Sequence, residues 1–581
     1  MKGLFINIFK SIKNSIKRFP LTIGISMACV ILLIYIPEIT TGNNSDLIET
    51  LGRLTMILAL GVPLSLCIKL YFERIEKYKN MSLYATYICG AVLLTLYYFF
   101  LLKDIDMVSM SRYVAVSLIF YLAFLFIAHI PKGKDFELYV VKVFTRFFTT
   151  ILYSLVLFLG LIAILFTIDE LLGVNIKSEL YYYTFLSVAG IFAPGFLLAG
   201  IPMKNKVLSL EDYSRLLKVL VLYIIMPLIS IYTIILYIYF GKIIITRQWP
   251  EGLVSHLVLW YSVISSAVLF FITPLLNEKG WTRRYMCYFP KAILPLIVMM
   301  FISIGIRINA YGVTENRYYV VALGIWVFLV MIYFAFTRKL RNIILPVSLA
   351  IITFISVFGP ISSYSIAKYS QNKRLSQIFI KNNMIKDNKV VKVSTVVSDE
   401  DARNISSILN YFDRNHSLNN VKGLPQEFKI DQMEKVLGIK YSDEYYGNEN
   451  EYFSFNSIGS TDLIDIRGYD YFSGPRNNGK EIPISTSLSI NFDYDSSLLK
   501  VIESGKDIYK VDFQAFADKL IEKHGYNQRG ESFPQEEMTL EDENENVKIK
   551  ILFNNISGNK NSLNGKMESN NFDFYVLLKA K

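Results

Sequence analysis

Long apolar stretches alternate with short polar segments over the first 361 residues of the chain. Eleven of these stretches contain about 18 or more residues, which is enough for a helix to cross a hydrocarbon core of about 30 Å. The pattern therefore predicts eleven transmembrane helices joined by short loops. They lie near residues 20–37, 54–72, 82–102, 108–130, 147–168, 181–201, 219–241, 254–276, 289–306, 318–337 and 342–361.

The pattern changes after residue 361, where the apolar positions first keep a helical spacing. Leu375, Ile378 and Phe379 form the apolar stripe of a predicted stalk that continues the last span. Ser398 and Asp401 are spaced as a capping box, which predicts that a second helix begins there.

Further along, apolar residues alternate with a period of two, which is typical of strands. A hairpin is predicted around Ser504–Asp507, and an amphipathic helix over 512–525 precedes two terminal strands, 547–553 and 572–579. The acidic segment 536–545 is predicted to be a solvated loop. The expected fold class is a membrane all-α bundle of about eleven transmembrane helices plus a C-terminal soluble α+β domain, which at about 200 residues is large enough to bury its own core.

Four segments follow from this change of pattern. Residues 1–19 are predicted to be a cytoplasmic amphipathic segment, and residues 20–361 the polytopic membrane domain. Residues 362–388 are predicted to form the helical stalk, and residues 389–581 an extracytoplasmic α+β domain.

The composition agrees with a membrane protein, and the distribution of charge argues against a nucleic-acid-binding protein. The 581 residues are 53% hydrophobic and only 19% charged, with a mean hydropathy of +0.37, whereas soluble chains carry roughly 25% charged residues. The formal net charge of +11 divides into +16 for residues 1–370 and −5 for residues 371–581. Because the basic residues are spread over membrane loops, nucleic-acid binding is excluded.

Basic residues predict the orientation of the helices, because Lys and Arg are retained on the cytoplasmic side. The N-terminal segment and the loops that follow even-numbered spans contain 24 of them, and the opposite loops contain eight. The N-terminus is therefore predicted to be cytoplasmic in the plasma membrane, and eleven spans would place the C-terminal domain outside. The ninth span is the weakest, because it contains Pro290 and Pro295, and its loss would reverse this placement.

The first eighteen residues have the pattern of an interfacial amphipathic helix that anionic lipid would attract. Phe5, Phe9, Ile12 and Ile16 lie opposite three lysines at helical spacing. A cleaved signal peptide is the competing interpretation, but no A-x-A-like site follows the apolar run before Gly42. Retention as a topology anchor is the expected role.

The segment that leaves the last span, FGPISSYSIAKYSQNKRL at 358–375, resembles a bacterial polytopic membrane family known as domain of unknown function 4153, as does the following ISSILNYFDRNHSLNNVKG. The resemblance implies a multi-helix membrane region, an exit motif and a stalk, and it brings no catalytic residues. Ile361 stands where that family usually has an aromatic residue. The matching residues, which form a candidate junction motif, are Phe358, Gly359, Pro360, Ser362, Ser365, Ser370, Gln371, Arg374 and Leu375.

No motif in the sequence indicates a catalytic, cofactor or metal site. The four cysteines form no CxxC pair, and the four histidines have no spacing that would place two on one helix face. Ser365 and Lys368 satisfy S-x-x-K, but no KTG strand follows, so a helix of small polar residues is the simpler interpretation.

The sequence is compatible with three functions. The leading hypothesis is a non-catalytic cell-envelope protein whose external C-terminal domain binds, senses or assembles with an envelope protein or lipid. The second is a transporter of a lipid-like or envelope substrate. Proline interrupts several spans, as it does at transporter sites, but in membrane helices it mostly serves kinks and close packing, and no acidic residue lies in mid-membrane to couple ions. The third is an enzyme at the membrane face.

Overall fold

The computed structural model folds into two compact units, Met1–Ser442 and Asp443–Lys581. The structure describes residues 12–39, 45–75, 80–130, 135–172, 176–203, 208–247, 253–276, 280–386, 389–393, 397–425, 427–441, 452–458, 464–474, 482–485, 487–493, 496–524, 532–560 and 567–581.

Within the described residues, eleven apolar helices make up most of the first unit. The sixth and seventh each contain a turn of π-helix, at Val188–Phe192 and Leu220–Ile225. In chain order the helices are α1 (Pro20–Ile39), α2 (Ser45–Arg74), α3 (Asn80–Leu101), α4 (Met107–Ile127), α5 (Phe136–Leu172), α6 (Ser178–Ala199), α7 (Arg215–Thr246), α8 (Leu253–Ile272), α9 (Gly280–Tyr311), α10 (Glu315–Phe336) and α11 (Ile344–Val357).

Ten helices in the described part of the chain, α1 to α10, are long and apolar enough to cross a membrane. The ninth predicted span is among them, since α9 runs unbroken for 32 residues through Pro290 and Pro295. The eleventh is shorter than predicted: α11 has 14 residues, or about 21 Å at 1.5 Å per residue. The predicted fold class, a helical membrane bundle followed by an α+β region, is confirmed.

Polar contacts join the ends of these helices into two groups. We call one group the amino end, because it includes the residues just before α1, and the other the junction end. At the amino end Arg18 pairs with Glu73, and it also donates to the carbonyl of Ile201; Lys142 pairs with Asp212, Tyr213 donates to the carbonyl of Phe271, and Asn342 donates to Thr273. At the junction end Tyr183 donates to Glu38, Arg53 to the carbonyl of Lys103, Tyr113 to the carbonyl of Met56, and Arg112 to the carbonyl of Val357.

These contacts show that α11 runs from one end of the bundle to the other, although it is the shortest of the eleven helices. Asn342, just before α11, bonds to Thr273 at the amino end at 3.0 Å. Val357, its last residue, accepts from Arg112 at the junction end at 3.4 Å. The helix stops there because Gly359 adopts a φ of +87° and Pro360 follows it.

Part of the predicted N-terminal amphipathic segment lies outside the described residues, namely residues 1–11 with Phe5 and Phe9. In the described remainder, Phe19 is buried, and Ser15 donates to the carbonyl of Gly195 at 2.8 Å. This part therefore packs on α6, while Ile16 is exposed.

The first unit continues past the bundle into a long polar helix and a small helical layer. These are α12 (Ser363–Lys381), the strand pair β1 (Ile385–Lys386) and β2 (Lys389–Val390), α13 (Asp399–Asn415) and α14 (Met433–Leu437). Leu375 and Phe379 of α12 share a buried cluster with Ile405 and Phe412 of α13. This shared core lies within the first unit, which extends to Ser442.

The described residues of the second unit form two sheets and one helix, α15 (Phe513–His524). The larger sheet has the order β4-β12-β11-β3-β9, with β10 also paired to β11, and the smaller has the order β5-β6-β7-β8. The strands are β3 (Tyr452–Ile458), β4 (Tyr471–Ser473), β5 (Ile482–Pro483), β6 (Leu488–Asp493), β7 (Leu498–Glu503), β8 (Lys506–Asp512), β9 (Ser532–Pro534), β10 (Thr539–Glu543), β11 (Val547–Lys560) and β12 (Met567–Ala580).

Both sheets and α15 contribute to one core of this unit, in which Phe513 contacts the rings of Phe492, Phe553 and Phe572. The predicted hairpin, amphipathic helix and terminal strands are confirmed. The predicted acidic loop 536–545 is wrong, because Thr539–Glu543 forms β10. Lys548 and Lys550 of β11 lie opposite Glu543 and Glu541 in that pairing, so cross-strand charge supports an acidic strand there.

Candidate functional site

The predicted junction motif begins where α11 ends. Phe358 is the C-terminal cap of α11, with an extended ψ of 147°. Gly359 follows with a φ of +87°, in the left-handed region that residues with a Cβ avoid. Its carbonyl accepts from the backbone of Ser362 and from the Ser365 hydroxyl. Gly359 and Pro360 therefore form the turn from which α12 starts.

Ser362 precedes α12 in an extended conformation, and its hydroxyl bonds to that of Ser365 at 3.1 Å. Lys368, the lysine of the S-x-x-K pattern, donates to Asn420 at 3.3 Å. The serine and the lysine thus have different partners, so their contacts fit a helix start better than a nucleophile with its base.

Three residues of the motif bind the backbone of the loop between α9 and α10. Ser370, Gln371 and Arg374 lie on one face of α12, because residues three and four apart are neighbours on a helix. Gln371 Nε2 donates to the carbonyls of Tyr311 and Val313 at 3.1 and 3.0 Å. Ser370 Oγ accepts from the Val313 N–H at 2.9 Å.

Arg374 extends this contact in two directions. Its guanidinium donates to the Tyr311 carbonyl at 3.2 Å and to Asn404 Oδ1 of α13 at 2.6 Å. Arg317 approaches the same loop from α10 and donates to the carbonyls of Tyr311 and Gly312. The carbonyl groups where α9 ends are therefore satisfied by side chains from α10 and α12.

Gly312 permits this close approach. Its φ is +74°, and an added Cβ would lie 3.0 Å from Gln371 Nε2 and 3.2 Å from Ser370 Oγ. A side chain at this position would be strained, and it would also push α12 away from the loop.

A buried carboxylate lies at the start of α10, directly after this loop. Glu315 accepts hydrogen bonds from the Tyr411 hydroxyl at 2.8 and 2.9 Å and from His416 Nε2 at 2.8 Å. The Glu315 and His416 side chains are 9% and 3% exposed, so water contributes little to their solvation. Because a carboxylate only accepts, His416 is assigned a proton on Nε2.

The trio of Glu315, Tyr411 and His416 joins the membrane bundle to α13. Burial, together with the nearby Glu315 charge, raises the pKa of the Tyr411 phenol, so Tyr411 remains a hydrogen-bond donor at neutral pH. Removing one member of such a set leaves a buried polar group without its hydrogen-bond partner, which costs about 1–3 kcal/mol. The arrangement is suited to holding two elements together.

A second set of polar contacts joins the end of α12 to the start of α13. Lys381 and Asn382, at the end of α12, donate to Asp401 at 2.8 and 3.0 Å. Burial alone would raise the pKa of Asp401, but these bonds and the Ser398 contact outweigh it and lower the pKa. Ser398 accepts from the Asp401 N–H, so the predicted helix start is confirmed.

Leu375 is the last residue of the motif and is fully buried among the apolar residues of α12 and α13. The nine motif residues therefore have distinct roles. Phe358, Gly359 and Pro360 end α11; Ser362 and Ser365 start α12; Ser370, Gln371 and Arg374 bind the loop; and Leu375 packs.

Sequence reasoning missed the trio. No motif in the sequence singles out Glu315 or His416. The two residues are 101 positions apart, so no local spacing links them. Within the described residues no group of three His, Cys, Asp or Glu side chains is placed to hold a metal ion.

Pro194 interrupts the hydrogen bonds of α6, and a side chain of a neighbouring helix replaces the missing bond. Pro194 of α6 cannot donate to the carbonyl one turn earlier, that of Gly190. Ser26 of α1 donates its hydroxyl to this carbonyl at 2.5 Å. The freed backbone group is thus satisfied by a neighbouring helix, as is common for proline in membrane helices.

Comparisons with known proteins give a family but no activity. A family model described as "Domain of unknown function (DUF4153)" matches residues 27–390, a range that contains Glu315 and all nine motif residues. The "Uncharacterized protein PM1469" of Pasteurella multocida (strain Pm70) is 24% identical over 411 residues, which are 69% of this chain. The chain matches 66% of the length of that curated relative. No solved structure matches the chain.

The geometry of the trio predicts strong coupling between Glu315 and Tyr411. Glu315→Gln and Tyr411→Phe should each lower the free energy of unfolding of the full chain by about 1–3 kcal/mol, because each leaves a buried group without its partner. The double variant should be less destabilised than the sum by about 1 kcal/mol or more. Proteolysis of the detergent-purified chain across a urea series measures these values.

The matched control is Tyr369→Phe, since Tyr369 is 65% exposed on α12. It removes the same hydroxyl group and should leave stability nearly unchanged. Additive effects in the double variant, or a loss for Tyr411→Phe no larger than that of the control, would contradict a coupled trio.

Proposed function

The chain belongs to the family described as Domain of unknown function (DUF4153), and from that premise we propose that it is a non-catalytic multi-pass protein of a bacterial plasma membrane that presents a binding domain outside the cytoplasm. The observation that carries this proposal is the course of α11. Because α11 ends at the junction end, the stalk leaves the bundle opposite the residues that precede α1.

The distribution of charge supports the direction. The loops at the amino end belong to the set with 24 basic residues, and those at the junction end to the set with eight. The positive-inside rule then assigns the amino end to the cytoplasm and residues from 363 onward to the other side.

The junction supports a presenting role over a catalytic one. Ser370, Gln371 and Arg374 bind backbone groups, and Glu315 accepts hydrogen bonds from Tyr411 and His416. These bonds hold α12 and α13 at a fixed place on the bundle. The satisfied carbonyl of Gly190 gives the transporter hypothesis no support at that break.

The second unit offers a surface for a partner. Among the described strands β4 lies at the edge of the larger sheet, and Tyr471 and Phe472 on it are 40% and 48% exposed. Exposed apolar side chains on an edge strand favour association with another molecule. An envelope protein or lipid is the partner class that fits a domain outside the cytoplasm.

Labelling of single cysteines tests the topology. In a background with Cys29, Cys67, Cys89 and Cys287 replaced by Ser, Lys519→Cys on α15 should react with a membrane-impermeant maleimide in spheroplasts, because α15 lies beyond the eleventh crossing. Lys13→Cys, which is exposed before α1, should react only after the membrane is opened and serves as the matched control. Reaction of Lys519→Cys only after opening would overturn the proposed topology.

A photo-crosslinking amino acid at position 472 tests the binding role in living cells. We expect a discrete adduct from position 472 and none from position 519, which is exposed on α15 and is not part of the β4 strand. The adducts are separated by electrophoresis and identified by mass spectrometry. Identical adducts from both positions, or none from position 472, would contradict a partner surface at β4.

A further inference from the structure

A cavity of about 450 Å³ lies between α4, α10 and α11, next to the junction. Its size is within the range of roughly 300–1,000 Å³ that is usual for small-molecule sites. The walls are almost wholly apolar, and the residues that matter here are Val114 and Leu118 of α4, Ala322 of α10, and Leu349, Ile352 and Val357 of α11.

The cavity opens toward the outside of the bundle. Val114 and Leu118 on its rim are 62% and 42% exposed. In a membrane this face meets lipid tails, because α4 and α10 are both membrane-crossing in length and composition. An apolar cavity that faces hydrocarbon is filled most readily by an acyl chain.

A cation lies at the junction end of this cavity. Arg112 is the neighbour of Ser111, which lines the cavity, and its Nε donates to the carbonyl of Val357, which also lines it. The guanidinium is within 5.7 Å of the ring of Phe358 and 5.6 Å of that of Tyr364. Arg112 is therefore held in place by aromatic rings and one carbonyl.

Among the described residues no carboxylate pairs with Arg112. The acidic residue nearest to it in sequence, Asp106, caps α4 by accepting from the Ser109 N–H at 2.7 Å. A guanidinium has five N–H donors, and the Val357 carbonyl engages one nitrogen. The remaining donors can bind an anion, and phosphate suits their geometry.

We infer that this cavity is a binding site for an anionic glycerophospholipid, with one acyl chain between α4, α10 and α11 and the phosphate at Arg112. An arginine at the end of a membrane helix lies at headgroup depth, so chain and charge can be engaged together. The site does not rest on the proposed function; only the leaflet that it faces depends on the topology.

Lipid at this site would contact the junction. Tyr319 lines the cavity and its hydroxyl accepts from Ser363, the first residue of α12, at 2.9 Å. Val357 lines it as the last residue of α11. An acyl chain there would fill the space beneath the start of the stalk and favour the position in which α12 is seen.

Photo-crosslinking with defined lipids tests the site. The purified full chain is placed in phosphatidylcholine nanodiscs that contain a trace of phosphatidylglycerol with a diazirine in one acyl chain, or of phosphatidylcholine with the same group. Peptides of α4, α10 and α11 should carry the phosphatidylglycerol adduct in excess. Arg112→Gln should lower that adduct about tenfold, equivalent to about 1.4 kcal/mol, and should lower the phosphatidylcholine adduct by much less, because the choline cation offsets the charge of its phosphate.

A second variant probes the acyl chain. Ala322→Phe places a ring in the cavity and should lower both adducts. The matched controls are Lys103→Gln, which removes an exposed charge beyond α3 at the same end, and Ala163→Phe, which adds the same ring on an exposed face of α5. Both controls should leave the adducts unchanged.

Three outcomes would overturn the inference. Equal adducts from the two lipids would mean that the cavity takes bulk lipid without regard to charge. A loss for Lys103→Gln as large as for Arg112→Gln would mean general electrostatic attraction. Absence of adducts on α4, α10 and α11 would mean that no acyl chain enters. Each readout is independent of topology labelling, so the two proposals can fail separately.

Discussion

The backbone of the short loop between α9 and α10 is the constraint on which the junction depends. This loop leaves the apolar bundle at residues 311–313, where unsatisfied carbonyl and N–H groups would be costly. Gln371, Ser370 and Arg374 satisfy these groups from α12, and Arg317 does so from α10. The polar side chains that the backbone requires are thus the side chains that fix the stalk.

Two further contacts extend this connection outward. Glu315, the first residue of α10, accepts hydrogen bonds from Tyr411 of α13 and from His416 at the end of α13. These bonds join α13 to the start of α10, directly after the loop between α9 and α10. Leu375 and Phe379 then bury an apolar face of α12 against α13. Backbone satisfaction, a buried carboxylate and a small apolar core therefore act on the same two helices, which is why residues as far as 442 belong to the first unit.

Much of the architecture was predictable because bilayers impose a length on apolar segments. Ten of the eleven predicted spans are helices of membrane-crossing length. The hairpin at Ser504 was predictable because apolar residues alternate on both sides of a turn that contains Gly505. The length of α11 was not predictable, because the turn at Gly359 and Pro360 ends the helix inside an apolar segment that continues to residue 361. The strand at Thr539–Glu543 was missed since its charges are matched only by lysines on its neighbour.

The candidate site was predictable only in part, and the reason is sequence distance. The junction motif is contiguous, so its residues could be singled out, but their partners are the backbone groups of a loop about sixty residues earlier. Glu315 and His416 are farther apart still, and neither has a local pattern that marks it. Contacts of this kind arise from the packing of helices, which local periodicity does not encode.

Hydrogen–deuterium exchange of the full chain in nanodiscs tests the central claim most directly, that α12 and α13 are held to the bundle as one unit. Amides of α12 and α13 should exchange nearly as slowly as those of α10, since opening them would require breaking the contacts at Tyr311, Val313 and Glu315 together. Exchange of α12 as fast as that of the exposed Ser504–Gly505 turn would contradict a fixed junction.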